Sequence, residues 1–284
     1  MIKFPDFNPN IVSFHIGSFP LQIRWYGILY IISFALGYIF ARSFFKYRNI
    51  EMDKDKYETF IFDIALGVIL GGRLGYIFFY DLPAFLHNPL VIFQVWNGGM
   101  SFHGGALGVI ISILLFCKKY KYNFIAIGDI SMPLVAVGLG LGRFGNFINA
   151  ELYGHPTTVP WGMIFPTDSS RLPRHPTQLY EMFLEGIVMF FLLWILLKKS
   201  RRIGIVFWSF FPLYGIFRIF IEFFRERDDI ASLYPNGMLF GFLPMSQGQF
   251  LSGFMIVIGS IGLIKVLMNK RKVPSSLNDS SVNK

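Results

Sequence analysis

Arg143, Asn146, Asn149 and Glu151 fall within nine residues, in the run Gly142-Arg143-Phe144-Gly145-Asn146-Phe147-Ile148-Asn149-Ala150-Glu151-Leu152-Tyr153-Gly154. The run continues a long apolar segment. An arginine at the centre of a membrane helix costs roughly 2.5–3.5 kcal/mol on insertion scales, so polarity this dense is kept for a site or for a structural pair. Arg143 and Asn146 are three residues apart and share a helix face. A guanidinium presents a planar fork of donors suited to phosphate. The plainer alternative is that Arg143 braces Glu151 or Glu222, while Gly138, Gly140 and Gly142 let helices pack closely.

Other polar constellations interrupt the apolar runs. Tyr214, Arg218, Glu222 and Arg225 are spaced four, four and three apart, which places them on one helix face. They form either an internal Arg218–Glu222 pair or a polar path for a headgroup. In Trp96-Asn97-Gly98-Gly99-Met100-Ser101-Phe102-His103-Gly104-Gly105, the glycines allow close backbone approach. A near-neutral histidine such as His103 suits a general base, although a lone histidine is also a common structural residue. Arg174-His175-Pro176-Thr177-Gln178-Leu179-Tyr180-Glu181 reads as a loop entering a helix, with Pro176 and Thr177 at its start. Arg174 and His175 either line an outer vestibule or solvate that loop. Asp63, Arg73 and Asp129 carry no separate catalytic argument.

The elements that must position these residues are membrane helices. The chain has 284 residues, 54% hydrophobic and 15% charged, with 34 phenylalanines, and its mean hydropathy is +0.51. That excludes an ordinary soluble domain. Apolar runs near the length of a bilayer crossing predict seven spans, at about 25–41, 57–79, 104–117, 125–148, 181–197, 204–224 and 249–268. The third is short, so it is either re-entrant or begins earlier, through Gly98-Gly99. The fold class expected is therefore an all-α polytopic membrane protein. Residues 1–268 read as one integral-membrane catalytic domain, and 269–284 as a polar, disordered cytoplasmic tail. The apolar run beginning near Trp25 lacks the features of a cleaved signal peptide.

Net charge is +9, but the basic residues lie in short clusters between spans, which argues for topology and against a nucleic-acid partner. Seventeen of the 26 fall on one set of loops and the tail, and six on the opposite set. The positive-inside rule assigns the seventeen to the cytoplasm, with the N-terminus outside and the C-terminus inside. The lone cysteine, Cys117, excludes an intrachain disulfide and any cysteine-rich metal motif.

In order along the chain, these motifs resemble the signature of the bacterial prolipoprotein diacylglyceryl transferase family. The resemblance rests on Arg24-Trp25-Tyr26-Gly27, Gly72-Arg73-x-Gly75-Tyr76, Ser101-Phe102-His103-Gly104-Gly105, the run from Gly142 to Gly154, the run from Arg174 to Glu181, and Tyr214-Gly215-x2-Arg218-x3-Glu222-x2-Arg225. It implies a seven-helix enzyme of the bacterial inner membrane whose site opens to the outer leaflet. The implied donor is phosphatidylglycerol, and the acceptor is the lipobox cysteine of a preprolipoprotein signal peptide. The implied products are a diacylglyceryl thioether and glycerol 1-phosphate. Besides these substrates and membrane lipids no partner is implied, and neither a metal nor an organic cofactor. Family precedent assigns function to Tyr26, His103, Arg143, Asn146, Glu151, Gly154, Arg218 and Glu222; Tyr214 and His175 are added as lipid-binding candidates.

That chemistry suits the residue types. A thioether requires sulfur to attack the glyceryl carbon, with a phosphate oxygen leaving. A thiol with an ordinary pKa of about 8.5 is mostly protonated near neutrality, so a base such as His103 assists. Arginines such as Arg143 and Arg218 suit a phosphate that gains charge as it leaves. A transporter is the rival reading, since broken helices and intramembrane charge also serve solute passage. Against it, the sequence shows no inverted repeat, and its polar residues cluster toward the outer half.

Overall fold

The computed structural model describes residues 2–16, 19–94, 98–226 and 238–269. Trp96, Asn97, Arg227 and the expected tail from 270 onward lie outside them. Among the described residues, seven helices are long and apolar enough to cross a membrane: Trp25–Arg48, Lys54–Tyr80, Phe102–Tyr120, Phe124–Ile148, Thr177–Lys199, Ile205–Glu222 and Gln247–Met268. The protein is a helical, multi-pass membrane protein. The third span has 19 residues and begins at Phe102, longer than its apolar run suggests. Ser101 caps it, its Oγ accepting from Gly104 N at 3.2 Å, so Phe102 and His103 join the helix ahead of the expected start.

In chain order the helices are α1 (Trp25–Phe45), α2 (Lys54–Tyr80), α3 (Leu82–His87), α4 (Phe102–Tyr120), α5 (Phe124–Ile148), α6 (Thr177–Glu181), α7 (Met189–Lys199), α8 (Ile205–Glu222) and α9 (Gln247–Met268). The turns from Met182 to Val188 are π-helical and join α6 to α7 in one span. Two short sheets accompany them. Strands β2 (Asn10–Ile16) and β3 (Phe19–Arg24) form an antiparallel hairpin leading into α1, and β1 (Ile2–Lys3) pairs in parallel with β4 (Met163–Ile164).

The described chain forms two compact units, residues 42–127 and residues 1–41 with 128 onward. The first is built on α2 against α4. Gly67, Gly71 and Gly75 recur every four residues on one helix, as do Gly104 and Gly108 on the other. A Cβ added at Gly75 would lie 2.7 Å from Gly104 Cα, so the backbones meet with no side chain between them. At the end of this packing Arg73, 5% exposed, spends its guanidinium on backbone carbonyls. It donates to Val91 O (2.5 Å), Ile92 O (3.2 Å), Gly98 O (2.6 Å) and Gly99 O (3.1 Å). Together with the Ser101 N to Gly72 O bond at 2.8 Å, this fixes the approach to α4 and hence the backbone of His103.

The second unit contains α5 to α9. Its aromatic core places Phe4, Phe147, Ala150 and Phe165 together, which ties the N-terminal strand to the loop after α5. Asp129, fully buried on α5, accepts from Gly204 N and Phe207 N at 2.8 Å each and so caps the start of α8. That is why an acidic residue sits in this apolar span.

Candidate active site

Within this second unit, α5, the α6–π span and α8 bring Arg143, Glu181, Glu185, Tyr214, Arg218 and Glu222 together. Glu181 is the hub and is fully buried. Its Oε1 accepts a short hydrogen bond from Arg218 Nη1, and its Oε2 lies 3.3 Å from Arg143 Nε. Arg218 also pairs with Glu222, Nη2 to Oε2 at 3.0 Å, one of the two arrangements the four-residue spacing allows. Arg143 braces neither Glu151 nor Glu222. Its carboxylate partner is Glu181 of α6, whereas Glu151 lies in the loop after α5 and Glu222 on α8.

The two arginines are held unequally. Among the described residues Arg218 has two acidic partners and 10% side-chain exposure, whereas Arg143 has one ion pair, no aligned hydrogen bond to it, and 20% exposure. Arg143 is the more available cation. Tyr214 lies within electrostatic range of both arginines and of Glu181 and Glu185, and its ring stacks on Phe210. Glu222 is pinned from α9, where Ser246 Oγ donates to its Oε1 at 2.8 Å.

A second cluster follows α5. Asn146 Nδ2 and Asn149 Nδ2 both donate to Glu151 Oε1, at 2.8 and 3.1 Å. The backbone curls to allow this, with Ala150 at φ 53° and Leu152 at φ 59°, a left-handed conformation that is costly for non-glycine residues. Tyr26 packs on the same helix: a Cβ at Gly145 would come within 2.6 Å of its ring. The Tyr26 ring is thereby placed within electrostatic range of Arg143 and Glu151.

Gly154 is where three segments meet. Its N–H donates to His175 O at 2.9 Å, and the next residue's N–H donates to Phe224 O at 2.9 Å. A Cβ there would lie 2.7 Å from Thr177 Cγ2 and closer still to Phe224 O. Arg174 does not solvate its loop. It is 8% exposed and pairs with Asp168 at 2.7 Å and Glu226 at 2.6 Å. The Arg174 guanidinium beside Asp168 pulls that carboxyl down to about 2. His175 Nδ1 lies 3.1 Å from Tyr180 Oη, which accepts from Trp161 Nε1 at 2.7 Å; burial, reinforced by His155, lowers the His175 pKa.

His103 belongs to the first unit. It is the second residue of α4 and is exposed, with its ring edge-on to Phe102. Glu181 and Glu185 are the residues that sequence reasoning left out of the site. The available signal was two carboxylates four apart in an otherwise apolar span, which membrane cost alone marks as purposeful.

A multi-pass membrane protein with two arginines and three carboxylates clustered inside its spans is built to handle charge at membrane depth. Comparison with known proteins identifies the family. The family model described as prolipoprotein diacylglyceryl transferase matches residues 11–265. A Geobacter sulfurreducens protein named phosphatidylglycerol–prolipoprotein diacylglyceryl transferase is 48% identical over 272 residues, covering 96% of this chain and 99% of its own. Proteins of the same name from Pseudoalteromonas atlantica (48% identity; 95% and 92% covered) and Legionella pneumophila (46%; 91% and 97%) are similarly related. The chain belongs to the prolipoprotein diacylglyceryl transferase family and is a transferase.

Proposed function

We propose that the protein transfers the diacylglyceryl group of phosphatidylglycerol to the lipobox cysteine of preprolipoprotein signal peptides, forming a thioether and releasing glycerol 1-phosphate. The observation that carries this reading is the convergence of Arg143 and Arg218, from two helices, on Glu181. Two guanidiniums anchored by one buried carboxylate, one of them partly exposed, suit a lipid phosphate. The names of the relatives supply the reaction.

In the proposed reaction the thiolate sulfur forms a bond to the terminal glyceryl carbon. The carbon–oxygen bond to phosphate breaks, and its electron pair passes to the phosphate oxygen. Arg143 and Arg218 offset the growing negative charge, which lowers the barrier more than it tightens ground-state binding. His103 receives the thiol proton. Asn146, Glu151 and Tyr26 contribute beside Arg143. Glu222 holds Arg218, with Tyr214 in electrostatic range, and Gly154 and His175 contribute to lipid binding.

On this reading the N-terminus lies outside, the C-terminus in the cytoplasm and the site toward the outer leaflet of a bacterial cytoplasmic membrane; the asymmetry of the basic residues supports that orientation. Residues 1–268 act as one catalytic membrane domain. The test is purified protein with phosphatidylglycerol and a lipobox peptide, with mass spectrometry for the thioether and for glycerol 1-phosphate. Absence of the peptide adduct under conditions where the protein stays folded would sink the proposal.

A further inference from the structure

Glu185 lies four residues beyond Glu181 on the same span, is fully buried, and among the described residues has no hydrogen-bond partner on either carboxyl oxygen. The charged and titratable groups within its electrostatic range are Glu181 on its own segment, Arg143 from α5, Tyr214 and Arg218 from α8, and Arg225 just past the end of α8. Both site arginines are already committed, Arg143 to Glu181 and Arg218 to Glu181 and Glu222. A bare carboxylate without donors in such an interior costs several kcal/mol. A carboxylic acid costs far less, and it supplies one O–H donor.

Phosphate binding creates a use for that donor. When Arg143 and Arg218 turn toward an anionic phosphate, Glu181 loses its cations and becomes the uncompensated buried charge. We infer that Glu185 is a positioning residue that holds a proton in the resting enzyme and donates it as a hydrogen bond to Glu181 once the lipid phosphate takes the two arginines. No external proton is required. The O–H of Glu185 turns to the Glu181 carboxylate, the pair shares one proton, and the arginines are released without stranding a negative charge. The i, i+4 spacing places both carboxyls on one face of the span. The inference rests on the phosphate-binding reading of Arg143 and Arg218 given above.

Infrared difference spectroscopy tests it, on full-length protein in nanodiscs with phosphatidylglycerol and no peptide. The parent is expected to show a protonated carboxyl C=O stretch that is absent in Glu185→Gln and shifts when phosphatidylglycerol is added. Single-turnover rates supply the second readout. The glutamine amide can still donate to Glu181, whereas leucine cannot, so Glu185→Leu should be slower than Glu185→Gln by at least about tenfold. A parent without that band, or with a band that lipid does not move while turnover proceeds, overturns the inference. Equal loss in the two variants overturns it as well. A parent that shows the band but neither binds nor turns over phosphatidylglycerol overturns the functional reading beneath it.

Discussion

Gly140 of α5 and Gly186 of the π-helical segment meet backbone to backbone. A Cβ added at Gly186 would lie 2.7 Å from Gly140 Cα, and one added at Gly140 would lie 2.9 Å from Gly186 Cα. This contact sits beside the charge cluster, one residue from Glu185 and three from Arg143. It lets the short reach from α5 to Glu181 close. A methyl group at either position forces the helices apart. Gly186→Ala should cost about 1–3 kcal/mol by overpacking. It should also lower turnover more than Ala substitution at Gly142, whose added Cβ meets nothing within 4 Å. Melting temperature and single-turnover rate, measured on both variants, check this; equal behaviour would remove the contact's importance.

Arg143→Lys keeps the charge and loses the planar fork, so it should fold yet turn over more slowly. Arg143→Ala should lose more, by several kcal/mol of transition-state stabilisation, because both phosphate binding and leaving-group charge are affected. Lipid affinity and single-turnover rate in matched nanodiscs are the measurement. Parent-like behaviour in a folded Arg143→Ala would pass the phosphate role to Arg218.

His103→Gln should lower turnover by about 10²–10⁴-fold while leaving lipid affinity largely intact. The deficit should shrink as pH approaches the ordinary thiol pKa of about 8.5, where the substrate ionises unaided. A deficit that is the same from about pH 6 to 9 would mean that His103 positions substrate and does not take the proton.

Asp168→Asn should destabilise the loop by about 1–3 kcal/mol at neutral pH, the range for a lost charge-assisted bond. The sign with pH follows from a carboxyl held at about 2 in the fold by Arg174, below its ordinary 3.8. Asp168's contribution is complete above the ordinary carboxyl pKa and fades as pH falls through about 2. The melting-temperature gap between parent and variant should therefore stay flat from neutral pH down to about 5 and close in more acid solution. A gap that widens on acidification contradicts this assignment.

Cysteines placed at Glu51 and Thr158, both exposed, in a Cys117→Ala background should label from opposite sides of the membrane. Thr158 should react in intact cells and Glu51 only after permeabilisation. Labelling of position 51 from outside would invert the topology drawn from the basic residues.

The sequence by itself determined the seven spans, their order and the polar motifs, because runs near 20 apolar residues have few stable alternatives in a bilayer. It also offered the Arg218–Glu222 pair as one of two readings, since helix geometry brings residues four apart together, and the structure forms that pair. The third span came out short because His103 at its start and Lys118 and Lys119 at its end are polar, although the helix runs from Phe102 to Tyr120; Gly104 and Gly108 are what lets α4 sit against α2. Tertiary structure alone decided the partner of Arg143. Glu151, Glu222 and Glu181 are all plausible by charge, and the choice depends on which helices touch, which the Gly140–Gly186 contact settles. The same holds for Asp129, whose work is on the backbone of a helix 75 residues away, and for Arg174, which pairs with Glu226 52 residues along the chain. Such pairs satisfy buried polar groups through space, and spacing along the chain contains no trace of them.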